Sequence, residues 1–413
     1  MAKTAAGVVS FDEALGIVMA HASGLAAPAT EMLTLLECVD RLLAEPVAAD
    51  RDQPPFDRST RDGFAVRAVD FHGGALKIAG QVRAGEEWQG ALASEAVISI
   101  MTGAPVPEGA DAVVMVEHVE RAEGAIRPSA GRTIRAGDNI VRRGSEARMG
   151  ETVLAAGTAI GGAEIALAAA CGRSSLRVFR RPRVAIVATG DELVAIDAMP
   201  EARQIRNSNS YGLTALVTRA GGEAEQMPIA PDRRPELDEI VGRARRCDLI
   251  LLSGGVSMGE YDLVEEVLEE LGAEFFFTGA KMQPGKPVVF GRLAATDGLP
   301  AQFFFGLPGN PVSTQVTFHC FVEPLLRAMG GGAVYGPRFA QATLTEDAKG
   351  KPGLMQILPA RLTADRVRPE VRLVSWQGSG DLTANARANC YAVLPPEKER
   401  FAVGEVITIL LRE

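Results

Sequence analysis

Three short segments of this 413-residue sequence combine glycine with side chains that can bind an anion or a cation. Residues 189–192 read TGDE, residues 253–262 read SGGVSMGEYD, and residues 307–313 read LPGNPVS. Glycine lets backbone N–H groups approach an oxyanion, and Ser257 adds a hydroxyl donor. Asp262 can hold a cation such as Mg²⁺. Together the segments predict a site for an anionic, phosphate-bearing ligand with cation-holding carboxylates.

Each segment taken alone has a simpler interpretation. Residues 189–192 are also typical of a polar turn, residues 253–262 of a flexible connection, and residues 307–313 of a helix cap. A fourth segment, QPGKP at 283–287, offers Lys286 on a constrained turn, although a single surface lysine is usually only solvated. The functional interpretation depends on the segments occurring together.

The three segments follow predicted strands and precede predicted helices. Short apolar runs at 184–188, 249–253 and 302–306 predict buried strands, and residues 211–220, 236–245, 263–271 and 312–329 predict helices. This alternation predicts a mostly parallel sheet covered by helices on both faces. In such a sheet ligands bind at the carboxyl ends of the strands, where all three segments begin.

The rest of the chain has a different pattern of predicted helices and strands. Ser10 and Glu13 form a predicted capping box for a helix that ends near Ser23, before Gly24, and residues 37–45 predict a second helix. Runs at 64–69, 76–82, 96–101 and 112–116 predict a small β domain, followed by a helix over 162–172. After residue 330 we expect short strands, including 389–394 and 406–411, and no helix.

Composition narrows the class of protein. Hydrophobic residues make up 47% and charged residues 23%, which is typical of a globular protein. The net charge of −9 argues against a general nucleic-acid binder. Five separated cysteines and four histidines favour reduced thiols over a disulfide framework or a zinc site. With no signal peptide and no membrane span predicted, we expect a cytoplasmic protein.

Six motifs in order resemble the molybdopterin molybdenumtransferase family, which includes the E domain of gephyrin. They are STRDGFAV at 59–66, MTGAPVP at 101–107, TGDE at 189–192, and the segments at 253–262, 283–287 and 307–313. Any one motif is a weak pattern, but six at compatible spacing are specific. The resemblance covers nearly the whole chain.

The resemblance implies a multidomain α/β plus β protein with a doubly wound α/β domain. It implies an elongated helical domain at 1–47 and 141–178, an inserted β domain at 48–140, the molybdopterin-binding α/β domain at 179–329 and a C-terminal β-barrel-like domain at 330–413. It also implies a homodimer that inserts molybdenum from molybdate into adenylylated molybdopterin, releases AMP with Mg²⁺ help, and interacts with the molybdopterin adenylyltransferase. No nucleic acid or membrane partner is expected.

The resemblance also assigns roles to individual residues. It gives Asp62 and Thr102 as a pair that reaches into the partner subunit's site. Glu192, Asp232 and Asp262 are implied to position the cation, with Glu192 and Asp262 as its ligands, and to promote loss of AMP. The implied contacts to pterin phosphate or molybdate are Ser257, Gln283, Lys286, Pro308, Asn310, Pro311, Ser313, Arg361 and Ser379.

Several positions depart from the family pattern. Gln283 stands where many members have lysine, which removes one positive charge, and Asn207 replaces an aspartate. Arg61, Phe64, Val141 and Glu146 are further departures. Two alternatives remain at this stage: a molybdopterin adenylyltransferase, which the α/β domain also resembles, and a scaffold or carrier that binds molybdopterin without turnover. The flanking domains argue against the first alternative, and Glu192, Asp232 and Asp262 argue against the second.

Overall fold

A computed structural model of the chain describes residues 7–254, 263–296, 298–364 and 368–412. The chain divides into two compact units. The α/β unit comprises Met1–Glu31, Asp40–Leu42 and Val178–Glu413, and the β unit comprises Met32–Val39 and Leu43–Arg177. No helix in the described ranges is long and apolar enough to cross a membrane.

A six-stranded sheet, here called the α/β sheet, lies at the centre of the α/β unit. In spatial order its strands are Glu223–Gln226, Arg183–Ala188, Leu249–Ser253, Gln302–Leu307, Val289–Leu293 and Glu274–Phe277. The first four are parallel to one another. Val289–Leu293 pairs antiparallel with Gln302–Leu307, and Glu274–Phe277 pairs antiparallel with Val289–Leu293. The prediction of a mostly parallel sheet is confirmed, because the three predicted strands are the adjacent parallel strands at its centre.

Helices cover both faces of the α/β sheet, as predicted. Successive side chains of a buried strand point to opposite faces. Val184 and Ile186 therefore join one hydrophobic core, whereas Ala185 and Val187 join another. The first core is covered by the helices Phe11–Ser23, Ser208–Arg219, Pro311–Thr317 and Glu323–Met329, and the second by Arg234–Ala244 and Leu263–Glu270.

The first helix begins and ends where the sequence indicates. The backbone N–H of Ser10 donates to the Glu13 carboxylate at 2.8 Å, and the Glu13 N–H donates to the Ser10 hydroxyl at 3.2 Å. These two bonds satisfy N–H groups that have no partner inside the helix. The helix Phe11–Ser23 then ends at Gly24, so this prediction is confirmed.

The predicted helix over 312–329 is interrupted. The segment consists of the α-helix Pro311–Thr317, a π-helical turn Phe318–Val322 and the α-helix Glu323–Met329. Pro324 has no N–H to donate, and its ring would clash with the carbonyl four residues earlier in a regular α-helix. The wider π turn before it removes that clash.

Two further predictions of secondary structure are wrong. The expected helix over 37–45 is only a 3₁₀ turn at Leu35–Cys38, because Asp40 takes a left-handed backbone conformation, with φ of 60°, that a helix cannot continue through. The C-terminal region, expected to lack helices, contains the short helix Leu382–Arg387. The Asp381 side chain caps it by accepting from the Ala384 N–H at 2.9 Å.

A second sheet of the α/β unit contains the C-terminal strands. In order its strands are Val8–Ser10, Gly279–Gln283, Met355–Ala364, Pro369–Leu373, Phe339–Leu344, Val406–Leu411 and Cys390–Leu394. Because Met355–Ala364 also pairs with Cys390–Leu394, the last five strands close into a barrel-like ring. Two short pairs complete the unit, Leu193–Val194 with Ile205–Arg206 and Ala348–Lys349 with Arg400–Phe401.

The β unit is built on a separate six-stranded sheet. Its strands, in order, are Ala112–Met115, Gly63–Val66, Ala96–Ile100, Leu76–Val82, Ala125–Pro128 and Val119–Ala122. Four of these correspond to the predicted β-rich runs. The unit also contains the helix Gly162–Ala170 and the short pairs Arg58–Ser59 with Ile140–Val141 and Val47–Ala48 with Thr152–Leu154. The strands Thr30–Thr34 and Ser175–Phe179 pair with each other.

Replacing Gly63 with alanine should destabilise the β unit. A Cβ at position 63 would lie 1.9 Å from the carbonyl oxygen of Val114 on the neighbouring strand, a backbone atom that cannot move away alone. We expect Gly63→Ala to lower the free energy of unfolding by about 1–3 kcal/mol, the usual cost of overpacking. Urea denaturation measures the difference, with Gly74→Ala as control because nothing lies within 4 Å of its added Cβ. Equal effects of the two substitutions would contradict the prediction.

Candidate active site

Three loops leave the carboxyl edge of the α/β sheet next to one another. The strands Arg183–Ala188, Leu249–Ser253 and Gln302–Leu307 are paired so that Ala188 lies opposite Ser253, and Ser253 lies opposite Leu307. The loops that follow therefore start in one row across the sheet. Of the second loop, the structure describes Ser253 and Gly254; the predicted site residues Ser257 and Asp262 lie outside the described residues.

Backbone contacts pack the starts of these loops closely together. The Thr189 N–H donates to the Ser253 carbonyl at 3.0 Å, and the Gly254 N–H donates to the Leu307 carbonyl at 3.3 Å. Gly254 has φ of 93°, and a Cβ there would lie 2.5 Å from the Thr189 carbonyl oxygen. Only glycine fits this position without strain, because both its φ and its surroundings exclude a side chain.

Asn209 joins two of the loops through its side chain. Its Nδ2 donates to the Ser253 hydroxyl at 2.9 Å and to the Gly309 carbonyl at 2.8 Å. Asn209 lies in the first turn of the helix Ser208–Arg219, whose N-cap is Asn207. Asn207 accepts from the Ser210 N–H at 3.2 Å, so the departure from aspartate at position 207 keeps the capping acceptor. Sequence analysis did not identify Asn209; the only signal was its polar type at the start of a helix.

Carboxylates gather beside the first loop. The Asp232 N–H donates to the Asp191 carboxylate at 3.2 Å. The Glu192 carboxylate folds back over Gly190, where a Cβ would lie 2.5 Å from its Oε2. Burial, followed by repulsion from Asp191 and then from Glu192, raises the pKa of Asp232. The structure thus brings two predicted residues, Glu192 and Asp232, into one negatively charged cluster, and it adds Asp191.

The third loop is fixed at the start of a helix. Asn310 is the N-cap of the helix Pro311–Thr317, and Pro311 occupies its first turn, where a missing N–H costs nothing. The Thr314 hydroxyl bonds to the Asn310 carbonyl at 3.0 Å and also to that of Pro308. Ser313 is buried. The predicted residues of this loop therefore form one rigid turn.

The C-terminal region contributes Ser379 to the same place. The Ser379 carbonyl accepts from the Val312 N–H at 3.0 Å, so the loop that contains Ser379 lies against the third loop. The Asp381 carboxylate accepts from the Gln377 N–H at 3.0 Å, and this bond and others to backbone N–H groups lower the pKa of Asp381. The main chain of Ser379 is therefore held next to Pro308–Ser313, and the hydrogen bond that holds it does not involve the Ser379 side chain.

The turn at residues 283–287 packs against the helix that follows the third loop. A Cβ on Gly285 would lie 2.5 Å from the Thr317 side chain, and φ of Gly285 is 107°. The Gln283 Oε1 accepts from Gln356 Nε2 at 3.3 Å, which fixes the side chain that replaces the common lysine. Lys286 is exposed, with its carbonyl bonded to the Ala280 N–H at 3.0 Å. Its ammonium group is therefore available to a ligand.

Arg361 stands apart from the loops. It is exposed on the strand Met355–Ala364 and donates to the Arg387 carbonyl at 3.4 Å. Within the described ranges, no hydrogen bond or ion pair links it to the three loops. Among the predicted residues of the α/β unit that the structure describes, Arg361 is the one for which it records no connection to the others.

Asp62 and Thr102 meet in the β unit. Oδ1 of Asp62 accepts from the Thr102 N–H at 2.7 Å and from the Thr102 hydroxyl at 2.9 Å. These bonds lower the pKa of Asp62, so it is ionised at neutral pH, with Oδ2 left for another partner. Two motifs separated by 40 positions thus form one small polar site. The sequence predicted both residues, and the structure brings them together.

The carboxylate cluster has the chemistry that a Mg²⁺ site requires. Mg²⁺ binds carboxylate oxygens and is usually held by one or two of them with several waters. Burial and repulsion from Asp191 and Glu192 raise the pKa of Asp232, and a bound cation would relieve that repulsion. In the described part of the chain, no three His, Cys, Asp or Glu residues are arranged as a complete metal site. Glu192 and Asp232 supply the type of oxygen donor that such an ion requires.

The fold and the loops define a class of protein: a multidomain α/β plus β protein with three loops gathered at the carboxyl edge of a parallel sheet. Comparison with known families narrows this class. Residues 9–172 match the MoeA N-terminal region (domain I and II), residues 185–328 match a probable molybdopterin binding domain, and residues 341–411 match the MoeA C-terminal region (domain IV). The chain belongs to the molybdopterin molybdenumtransferase family.

Individual relatives agree with this assignment over nearly the whole chain. The molybdopterin molybdenumtransferase of Haemophilus influenzae is 34% identical over 385 residues, which cover 92% of this chain and 93% of the relative. That of Nostoc is 34% identical over 92% of this chain and 88% of its own length. The crystal structure of a molybdopterin biosynthesis moeA protein from Pyrococcus horikoshii is similar with a TM-score of 0.80 and 29% identity, covering 98% of this chain and all (100%) of that one.

Replacing Asp232 with asparagine should stabilise the protein at neutral pH when no divalent cation is present. Because its folded-state pKa is raised, the stability that Asp232 contributes is complete below its ordinary pKa of 3.8 and is lost as the pH rises through the folded value. Asp232→Asn should therefore unfold at higher urea than wild type at about pH 7, and less so as the pH falls. The exposed Asp197→Asn serves as control. A lower urea midpoint for Asp232→Asn at neutral pH would be the opposite of this expectation.

Asn209→Leu should loosen the contact between the second and third loops. It removes two donors and leaves the Ser253 hydroxyl and the Gly309 carbonyl without them. We expect a loss of about 1–3 kcal/mol in the free energy of unfolding. Urea denaturation measures it against Ser208→Ala, at the exposed neighbouring position. A loss no greater than that of the control would mean that these bonds do not hold the loops together.

Proposed function

We propose that this chain is the transferase that inserts molybdenum into molybdopterin during molybdenum-cofactor biosynthesis. The observation that carries the proposal is the ordered match of the three regions of the family to residues 9–172, 185–328 and 341–411. Relatives named molybdopterin molybdenumtransferase match over 92% of the chain, so the proposal rests on the whole protein and not on one domain.

We propose adenylylated molybdopterin and molybdate as the substrates and AMP as a product. Release of AMP adds one water across a P–O–P bond, and molybdate is a tetrahedral dianion that N–H, hydroxyl and ammonium groups can bind. Lys286, Ser313 and Ser379 are well suited to these anions by type and by their closeness to the third loop. Ser257, Gln283, Pro308, Asn310, Pro311 and Arg361 complete the proposed contacts.

Mg²⁺ is the proposed cofactor, with Glu192 and Asp262 as ligands and Asp232 as the neighbouring carboxylate. A bound divalent cation would offset the charge that develops on the phosphate oxygens when AMP leaves. The protein's own part is to hold Glu192 and Asp232 close together at one edge of the sheet, where a cation would relieve their repulsion. The raised pKa of Asp232 supports this role.

We further propose that the chain acts as a homodimer in the cytoplasm and receives its substrate from the molybdopterin adenylyltransferase. Asp62 and Thr102 would then act on the site of the partner subunit. The chemistry of this pair supports the proposal. Thr102 holds the Asp62 carboxylate through Oδ1, and Oδ2, which Thr102 does not bind, is suited to a cation or to a substrate hydroxyl. The domain boundaries at residues 47, 140, 178 and 329 are part of the same proposal.

A substrate assay tests the proposal directly. The purified protein, incubated with adenylylated molybdopterin, Mg²⁺ and molybdate, should release AMP and retain molybdenum on the pterin. Glu192→Gln keeps the shape of the side chain but removes its charge, and we expect AMP release to fall about 100-fold, the effect of losing about 3 kcal/mol of transition-state stabilisation. Glu201→Gln, an exposed glutamate of the same unit, should keep wild-type activity.

Other outcomes of this assay point to other functions. Tight binding of molybdopterin with no AMP release by wild type would identify a scaffold or carrier. Adenylylation of molybdopterin from ATP, without the pre-adenylylated substrate, would identify an adenylyltransferase. Equal activity of Glu192→Gln and Glu201→Gln would leave insertion standing but would remove Glu192 from the cation site.

A further inference from the structure

Two short helices follow the parts of the candidate active site that come from the third loop and from the C-terminal region. The helix Pro311–Thr317 begins at the third loop, and the helix Leu382–Arg387 begins just after Ser379. Near their starts the two segments are joined by the hydrogen bond from the Val312 N–H to the Ser379 carbonyl at 3.0 Å. A single hydrogen bond cannot by itself fix the angle between two helices.

A second connection joins the same two helices farther along. Asn385 Nδ2 donates to Gln315 Oε1 at 2.8 Å. Gln315 lies three positions after Val312, which is about 4.5 Å along a helix, so the two connections are about one turn apart. Asn385 is only 1% exposed, and water therefore does not compete for its bond. Together the two connections fix both the distance and the angle between the helices.

Arg412 orients the second connection. Its Nη1 donates to the carbonyls of Asn385 and Ala388, both at 2.7 Å, and carbonyl oxygens at the end of a helix favour a cation. Its Nη2 donates to Gln315 Oε1 at 3.5 Å. Because a guanidinium group can only donate, the oxygen of the Gln315 amide must face it, and Asn385 must then donate through Nδ2. The three side chains thus form one consistent network.

We propose that Gln315, Asn385 and Arg412, here called the polar clamp, are positioning residues that set the Ser379 loop against the third loop. This inference rests on the proposed function, because Ser379 and Ser313 are proposed substrate contacts on the two sides. The polar clamp acts through the two helices and touches no substrate atom itself. A displacement of about 1 Å in the groups that position a substrate can cost an enzyme about 100-fold in efficiency, so the angle between the helices matters for the reaction.

The kinetics of AMP release by the full chain test the proposal with a matched pair of variants. Gln315→Leu removes the acceptor for Asn385 and Arg412. Because the displaced groups bind the substrate before and during the reaction alike, KM for adenylylated molybdopterin should rise at least about tenfold, which is 1.4 kcal/mol, while kcat changes much less. Gln315→Glu keeps an acceptor oxygen of the same reach and should keep the wild-type KM. So should Gln341→Leu, the same substitution at an exposed position.

Arg412→Met is a second variant, which removes the donors from the other side of the polar clamp. It should raise KM as Gln315→Leu does, and the double variant should be little worse than either single one, because the residues act as one unit. A purely structural role would instead lower the folded fraction, which reduces the apparent kcat and leaves KM unchanged. Urea denaturation of each variant measures that fraction separately.

Three results would overturn the proposal: an unchanged KM in Gln315→Leu and Arg412→Met, an equal rise of KM in Gln315→Glu, or fully additive effects in the double variant. The proposed function fails by a different observation, the absence of AMP release by wild type. Calorimetric titration with adenylylated molybdopterin then decides, and Kd for Gln315→Leu should exceed that of wild type at least about tenfold. An equal Kd, or no binding to either protein, would overturn the polar clamp.

Discussion

The in-register ending of three parallel strands is the constraint on which the candidate active site depends. Ala188, Ser253 and Leu307 lie in one row across the α/β sheet, and each strand gives way to a loop directly after that row. A shift of one residue in either pairing would turn buried side chains toward the wrong face. The separate cores on the two faces oppose such a shift, because it would exchange the side chains that fill them. Burial of the strands thus fixes where the loops begin, and the residue types of the loops can vary without moving that position.

The second feature that shapes the candidate site is the electrostatic environment of its carboxylates. Beside the first loop, burial and repulsion from Asp191 and Glu192 raise the pKa of Asp232. In the β unit the opposite holds, because Asp62 is stabilised in its charged form by two bonds from Thr102. The first carboxylate is disfavoured in its charged form, and the second is stabilised in that form by its two bonds. The same residue type is thus tuned in two directions by its immediate surroundings.

The sequence predicted those parts of the fold and site that local pattern determines. The apolar runs at 184–188, 249–253 and 302–306 became strands, and the capping box at Ser10 began a helix as expected. Local pattern also misled: residues 312–329 have helical spacing throughout, but Pro324 forces a π turn that periodicity does not report. The expected helix at 37–45 failed because of the backbone at one residue, Asp40.

The missed contacts are those made between segments distant in sequence. Nothing near Asn209 indicates that its amide reaches Gly309, and nothing near Ser379 indicates a bond to the Val312 N–H. Such contacts exist only after the sheet has assembled.

The pairing of Val8–Ser10 with Gly279–Gln283 also has a consequence for how the protein is made. During synthesis the first strand has no partner until Gly279 has left the ribosome, by which time the whole β unit has already emerged. A nascent chain can therefore complete the β unit while the amino-terminal strand and its helix still wait. A pause in translation between these two points would leave the apolar face of the helix Phe11–Ser23 uncovered, because the other buried residues of its core lie at position 184 or later.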